Sequence, residues 1–343
     1  MSYKQMTGNI ISATKVEPAG TLISSAASGV WSLQEQYDYV RGGNWPNPAN
    51  LPRGVFAGGN GDKDVMDYIL ISTTGNATDF GNLSVARDNL AVGSLASSTR
   101  GVFGGGSPSG GDKDVIDYIT IASTGNATDF GNLSVGRHGF ASLSNSTRGI
   151  FAGGVNASNA RDDTIDYITI TSTGNAIDFG NLTKAVNGVS GLASTTRGVI
   201  LGFRTNDETA VQDRIDYITI GSTGNASDFG NLTQAKYVGA ALSNNTRGIF
   251  AGGYTGGGVN EIEYITIAST GNATDFGDLS LNNFEFAGVS NKTTGVFGGG
   301  TASPTNIMEF ITIATTGDVT DFGDLTVARR QLGGTSNGHG GLA

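Results

Sequence analysis

The chain has 343 residues, contains no cysteine and carries a formal net charge of -10. The absence of cysteine excludes disulfides, thiolate metal ligands and cysteine nucleophiles. The acidic balance argues against a broad nucleic-acid-binding surface, which would need clustered Lys and Arg. Glycine is abundant: the 55 glycines among 343 residues are about twice the usual share of about 7%. The glycines separate short apolar runs, which predicts many tight turns.

Residues 1–50 form a segment of their own and contain both tryptophans of the chain. In "SGVWSLQEQYDYVRGGNWPNP", Ser32 and Glu35 fit a capping box that precedes apolar residues at helical spacing, which predicts a short helix over about residues 32–41. The preceding residues are small and polar, with no period and no basic start or apolar stretch of a secretory signal. We expect an extended arm that packs on a partner, with the candidate anchoring residues Trp31, Tyr37 and Trp45.

From residue 51 onward the sequence is a sixfold repeat. The tripeptide Asp-Phe-Gly recurs at spacings of 50, 49, 50, 47 and 46 residues, and two other markers recur with it: "RGVFAGG" and "DYITI" or close variants. The repeated aspartates are Asp79, Asp129, Asp178, Asp228, Asp275 and Asp321. Each repeat reads as four short strands, since apolar, alternating and β-branched runs are separated by glycine-rich turns.

The two ends of the repeat region are complementary. The first repeat starts at "RGVFAGG" with no strand before it, and the last continues past its Asp-Phe-Gly into "VARRQLGGTSNG". We predict that Gln331–Ser336 pairs with Gly54–Gly58, because this pairing removes exposed sheet edges.

Four antiparallel strands with a period of 46 to 50 residues are typical of a β-propeller blade. The Gly-Gly doublet and the aromatic residue that follows it resemble the kelch repeat over residues 53–336, with Phe80 and Phe130 roughly where that repeat usually has a tryptophan. The resemblance implies an all-β protein: a single six-bladed propeller of kelch-like four-stranded blades over residues 51–343, with the arm of residues 1–50 attached.

The Asp-Phe-Gly motif invites comparison with the magnesium-binding motif of protein kinases. A kinase also needs a Gly-rich phosphate loop, a strand lysine and a His-Arg-Asp loop, all absent here. Six copies on six blades would not converge on one site. We therefore expect a structural role, in which these aspartates either pair with Arg53, Arg100, Arg148, Arg197 and Arg247 or cap their local turns.

The loops at the opposite end of each repeat differ from one another, and variable loops on a rigid scaffold often carry recognition. The candidate partner-binding residues in these loops and in the segments between repeats are Asp62, Asp112, Arg161, Arg204, Asp207, Glu208, Tyr237 and Tyr254. Drift without function is the alternative. Neither histidine has a partner at metal-ligand spacing, no full calcium-loop pattern is present, and no catalytic constellation stands out, so we expect no catalytic residue, metal or other cofactor.

The segment "SGVWSLQEQYDYVRGGNWP", together with "RGVFGGG" and "ITIASTGNATDFG", resembles virion structural and tail-fibre-like proteins of tailed phages of marine bacteria and cyanobacteria. The resemblance implies a virion protein made in the host cytoplasm: a non-enzymatic tail or fibre component. Its arm would bind other virion proteins, and its loop face would contact a host-surface glycan or protein.

Two alternative functions remain open. One is purely structural decoration or reinforcement of the capsid or tail, and the other, less favoured, is an enzyme acting on polysaccharide. We expect no nucleic-acid partner. We also expect no membrane insertion, because no apolar run approaches the ~20 residues of a membrane helix. In the particle we expect the protein to be an oligomer.

Overall fold

The computed structural model describes residues 51–90, 92–93, 95–107, 111–205, 211–301 and 303–342. The predicted arm of residues 1–50, its helix and the candidate anchoring residues Trp31, Tyr37 and Trp45 lie outside the described residues, as do Asp207 and Glu208. The described chain is all-β, as the sequence predicted, and contains several antiparallel sheets and one 3₁₀ turn, Gly340–Leu342.

Each sequence repeat supplies one set of antiparallel strands, called sheets 1 to 6 here in the order of the repeats, and sheets 3 and 4 are parts of one continuous nine-stranded sheet. Sheet 1 contains β1 Arg53–Ala57, β2 Val65–Leu70 and β3 Thr78–Asn82. Sheet 2 contains β5 Arg100–Gly104, β6 Val115–Thr120 and β7 Thr128–Asn132. Sheet 3 contains β9 Ala141–Ser144, β10 Arg148–Ala152, β12 Asp162–Thr169 and β13 Ile177–Asn187. Sheet 4 contains β14 Ser190–Ala193, β15 Arg197–Thr205, β16 Val211–Thr219 and β17 Ser227–Asn231.

Sheet 5 contains β18 Ala240–Ser243, β19 Arg247–Ala251, β20 Val259–Thr266 and β21 Thr274–Asn283. Sheet 6 contains β22 Ala287–Ser290, β23 Thr294–Gly298, β24 Ile307–Thr312 and β25 Thr320–Asp324. Three short strands connect or extend the sheets: β4 Val92–Gly93, β8 Arg137–His138 and β11 Val155–Asn156. Strand β4 pairs in parallel with β9 and β14, which links sheets 3 and 4.

The C-terminal strand completes sheet 1. Strand β26, Gly333–Ser336, pairs antiparallel with β1, with Ser336 opposite Gly54 and Gly333 opposite Ala57. The predicted pairing between the end of the chain and the first repeat is confirmed, and it gives sheet 1 the same four-strand order as sheets 5 and 6.

The hydrophobic core is divided into six clusters, each built from two successive sheets. One cluster joins Val55, Phe80 and Leu83 of sheet 1 to Phe103 and Ile119 of sheet 2. Four further clusters join sheets 2 and 3, 3 and 4, 4 and 5, and 5 and 6. The sixth joins sheet 6 to sheet 1. Burying one such aromatic or aliphatic side chain contributes about 1.5–3 kcal/mol, so each sheet depends on its neighbours for stability.

The Asp-Phe-Gly motif works through its backbone and joins neighbouring sheets. The carbonyl of Phe130 accepts a hydrogen bond of 2.8 Å from the N–H of Gly174 in the next repeat's "TGN" turn. Asn175 Oδ1 of that turn accepts from the N–H of Asn132 at 3.0 Å. The backbone contact recurs at all six junctions, with Phe322 of the last repeat accepting from Gly75 of the first.

The predicted pairing of these aspartates with the repeated arginines is wrong. Asp79, Asp129 and their counterparts are exposed, and within the described chain the only ion pair they make is Asp228 with Arg214, at 3.5 Å. Their carboxylates also accept none of the hydrogen bonds observed in the described turns, so the alternative of a local turn cap is not borne out either.

The repeated arginines stack on tyrosines and reach the next sheet. The Cζ of Arg100 lies 4.3 Å from the ring centroid of Tyr118, and its Nη1 donates to the carbonyl of Ile170 at 2.8 Å. Arg53, Arg148, Arg197 and Arg247 make the equivalent pair of contacts. The stacking and the charged hydrogen bond explain why arginine recurs here.

The C-terminal residues pack against the first strands of several sheets. His339 is 2% exposed, its Nε2 lies 3.2 Å from Ser144 Oγ, and its Nδ1 accepts from the N–H of Gly341 at 3.1 Å. Burial lowers the pKa of His339 to about 4, so the ring is neutral at neutral pH. Buried serine hydroxyls also join first strands to one another, as where Ser290 donates to the carbonyl of Ser243 at 2.8 Å.

Candidate binding face

The sequence differences between repeats lie at one end of the sheets. Because successive strands are antiparallel, the loop from the second to the third strand and the connection to the next sheet leave from the same end. The connection carries one half-buried position that differs in every repeat, and we call these residues the rim residues. They are Asp88, His138, Asn187, Tyr237, Phe284 and Arg330.

Each rim residue is held against a residue at the end of the second strand of the next sheet or shortly beyond it. Tyr237 and Tyr254 exchange two backbone hydrogen bonds, with Tyr254 N–H to Tyr237 O at 2.9 Å. The other five junctions place the same two positions together through backbone hydrogen bonds or strand pairing: Asp88 with Ser107, His138 with Val155, Asn187 with Arg204, Phe284 with Thr301, and Arg330 with Asn60. The face therefore presents twelve variable positions on a repeated backbone.

The residue after each rim residue has a left-handed backbone. Asn89, Val238, Glu285 and Gln331 have φ between 49° and 60°, and Gly139 and Gly188 supply the other two positions. Their backbones form a run of hydrogen bonds from sheet to sheet, including Val238 N–H to Gly188 O and Glu285 N–H to Val238 O, both 2.7 Å. A β-branched residue such as Val238 is strained in this region, and strain of this kind persists only where surrounding contacts hold it.

One half of the face is aromatic and basic. The rings of Tyr237 and Tyr254 lie edge to face with centroids 5.8 Å apart, and Tyr254 and Phe284 do so at 5.2 Å. The Cζ of Arg204 lies 5.2 Å from the centroid of the Tyr237 ring. Arg161 Nε donates to Asn187 Oδ1 at 2.6 Å. Burial, and then the nearby charge of Arg204, lower the pKa of the Arg161 guanidinium.

The other half is acidic. Asp112 Oδ1 lies 2.7 Å from His138 Nδ1, and Arg330 Nη1 lies 3.0 Å from Glu285 Oε2. Burial raises the pKa of the Asp88 carboxyl, and the negative charge of Asp62 raises it further. Arg330 and Glu285 have opposite charges, whereas Asp62 and Asp88 are like charges that repel each other.

The structure brings four of the predicted residues, Arg161, Arg204, Tyr237 and Tyr254, into the aromatic half. Asp62 and Asp112 belong to the acidic half, so the six predicted loop residues that the structure describes are divided between the two halves. Sequence reasoning missed the rim residues Asp88, His138, Asn187, Phe284 and Arg330. Aligning the repeats on the third residue of "VAR" would have revealed them, because the residue that follows it differs in all six repeats.

The chain matches no protein-family model and no curated protein. In the described part of the chain, no three His, Asp or Glu side chains lie together in a way that would hold a metal ion. No helix found among residues 51–342, where described, has the length and apolar character needed to cross a membrane.

Proposed function

We propose that the six sheets are the blades of one kelch-like β-propeller. Three observations support it: every core cluster is shared by successive sheets, the sixth cluster joins sheet 6 to sheet 1, and β26 pairs with β1. The repeated backbone contacts of Asp-Phe-Gly likewise run from the sixth repeat to the first. Electron microscopy of the purified protein would test this directly, since a sixfold ring is expected and an open array of sheets would contradict it.

We further propose that the protein is a non-enzymatic binding protein. The face formed by the rim residues and their partners, called the rim face, contacts a host-surface glycan. The observation that carries this proposal is the contrast between near-identical repeats and rim positions that all differ, with Tyr237, Tyr254 and Phe284 gathered on one half. Half-buried aromatic rings lose little entropy on binding and dominate many interfaces. They also suit the flat apolar face of a sugar ring, while Arg204 and Asn187 offer hydrogen bonds to its hydroxyls.

The resemblance to tailed-phage virion proteins supports a place in the particle. In this proposal the protein is a tail or fibre component, residues 1–50 attach it to other virion proteins, and the rim face points towards the host. Antibody labelling of intact particles by electron microscopy tests the location: signal on the tail is expected, and absence of the protein from purified particles would overturn the virion assignment.

Binding is tested with the full-length protein on host cells and on a panel of host-surface polysaccharides. We expect Tyr254→Ala to weaken binding about 30-fold or more, because a well-packed aromatic anchor typically accounts for at least about 2 kcal/mol. The matched control is Ile177→Thr, which removes an exposed apolar side chain and restores the threonine found at Thr78 and Thr128.

The outcome separates the functional classes. Wild-type protein that binds neither cells nor polysaccharide but is present in particles would favour structural decoration. Binding to cells that survives removal of surface glycans would point to a protein receptor. Shortening of the polysaccharide during the assay would indicate an enzyme.

A further inference from the structure

Every repeat places one buried carboxylate on its third strand, and five of the six meet a cation. Arg87 contacts Asp117 at 2.9 Å, Arg137 contacts Asp166 at 3.1 Å, and Arg329 contacts Asp67 at 2.9 Å. In the fourth sheet Arg214 pairs with Asp216 at 2.9 Å, and in the fifth Lys236 lies 3.7 Å from Glu263. Pairing is expected, since an uncompensated buried charge is costly.

The sixth carboxylate, Glu309, is the exception. It is 8% exposed, and no hydrogen bond or ion pair of the described residues reaches its carboxylate. The position that carries Arg87, Arg137 and Arg329 at other junctions is Asn283 here. Asn283 does not substitute, because its Nδ2 donates to the carbonyl of Gly299 at 2.9 Å and its Oδ1 accepts from the N–H of Phe284 at 2.9 Å.

A cavity of about 10 Å³ lies beside Glu309. Phe297 and Ile307, which also line it, are the counterparts of Phe56 and Val65 in sheet 1. The carbonyls of those two residues accept hydrogen bonds from Arg329, at 3.2 and 2.9 Å. The cavity therefore occupies the place that a guanidinium group fills elsewhere.

We infer that this cavity binds a monovalent cation, Na⁺ being the ion that fits best. A volume of about 10 Å³ is close to the ~10–15 Å³ that one water needs, which is too small for an organic cation. One carboxylate is balanced by one positive charge, as in the pairs that Arg87, Arg137 and Arg329 form. Thr301 and Thr305 also line the cavity, and hard cations prefer oxygen ligands of the kind that threonine and glutamate side chains supply.

The test measures the thermal unfolding midpoint of the full chain as NaCl replaces choline chloride at constant ionic strength and pH 7.5. We expect Na⁺ to raise the midpoint of the wild type by about 2–4 °C with saturation, as for a ligand that binds only the folded state. Asn283→Arg supplies the missing internal cation and should abolish the Na⁺ dependence, as should Glu309→Gln. The matched control Asn282→Arg adds the same charge at an exposed neighbour and should keep it.

The inference is overturned if the wild type shows no Na⁺-specific shift, or if Asn283→Arg and Asn282→Arg respond to Na⁺ alike. Stabilisation by micromolar Ca²⁺ but not by Na⁺ would overturn the monovalent assignment. If Glu309→Gln does not fold, ²³Na NMR of the wild type and of Asn283→Arg replaces it. The wild type should broaden the ²³Na line and Asn283→Arg should not, and equal line widths would overturn the inference.

Discussion

Arg329 and Asp67 form a fully buried ion pair, with Arg329 Nη2 2.9 Å from Asp67 Oδ2. Arg329 follows the last strand of sheet 6, and Asp67 lies in the third strand of sheet 1. Strand β26, which follows Arg329 in the chain, pairs with β1 of sheet 1, and sheets 6 and 1 share a hydrophobic cluster. The beginning and end of the repeat region therefore stabilise each other through charge, backbone pairing and apolar packing.

Replacing Arg329 by methionine should destabilise the protein by about 3–5 kcal/mol, because Asp67 would remain buried without its cation. Urea denaturation measures the free energy of unfolding. Arg330→Met is the control: its ion pair with Glu285 is partly exposed, and such pairs contribute about 0–1 kcal/mol. Equal losses in the two variants would show that the burial of the Arg329–Asp67 pair has no special cost.

Within Asp-Phe-Gly, the glycine should matter more than the aspartate. Gly131 has φ of 146°, and a Cβ there would lie 2.4 Å from the carbonyl oxygen of Gly174. We expect Gly131→Ala to cost about 2 kcal/mol or more in the free energy of unfolding, and Asp129→Asn, at an exposed carboxylate, to change it by less than about 0.5 kcal/mol. The reverse order would restore a role for the carboxylate.

Arginine at position 294 should stabilise the protein. Arg247 stacks 4.3 Å from the centroid of Tyr264 and donates to Ile313 O at 2.9 Å, whereas the sixth repeat has Thr294. Thr294→Arg would bring a guanidinium to Phe310 and the carbonyl of Ile71, and we expect a gain of about 0.5–1 kcal/mol. The reciprocal change, Arg100→Thr, should lose a similar or larger amount; a destabilised Thr294→Arg would contradict the prediction.

The stability of the protein should depend on the protonation of Glu263. Burial raises the pKa of Glu263 from 4.5 to about 7, against the opposing effect of Lys236. The folded state then binds the proton more tightly than the unfolded state, so this contribution is present below pH 4.5 and is lost as the pH rises to about 7. At about 1.4 kcal/mol per pKa unit, the loss reaches at most about 3.5 kcal/mol.

The measurement compares the free energy of unfolding of the wild type and Glu263→Gln across pH 4 to 8. The wild type should lose stability relative to the variant as the pH rises, with no further change above about pH 7.5. His339, whose pKa is lowered to about 4, titrates in the opposite sense but is common to both proteins and cancels. Parallel pH profiles would contradict the prediction.

Much of the local structure followed from residue patterns. The repeats and their strands were predictable because apolar alternation and turn residues act over short stretches of chain. The pairing of the C-terminal segment with the first repeat followed from the incomplete repeats at the two ends of the repeat region. The role of the repeated arginines was not predictable. Asp129 stands opposite Asp117 beside a bulge, so one carboxylate is buried while the other faces solvent, and Arg100 turns to a carbonyl 70 residues away.

The sequence by itself determined that this chain is all-β, that its strands recur six times and which loops differ between repeats, because those properties depend on local periodicity and turn chemistry. Only the tertiary structure decided which buried acid meets which cation, how each rim residue is paired with the next sheet, and that Glu309 lines a small cavity. Those outcomes depend on side chains from neighbouring repeats, and their contact is created by packing rather than by any short stretch of chain.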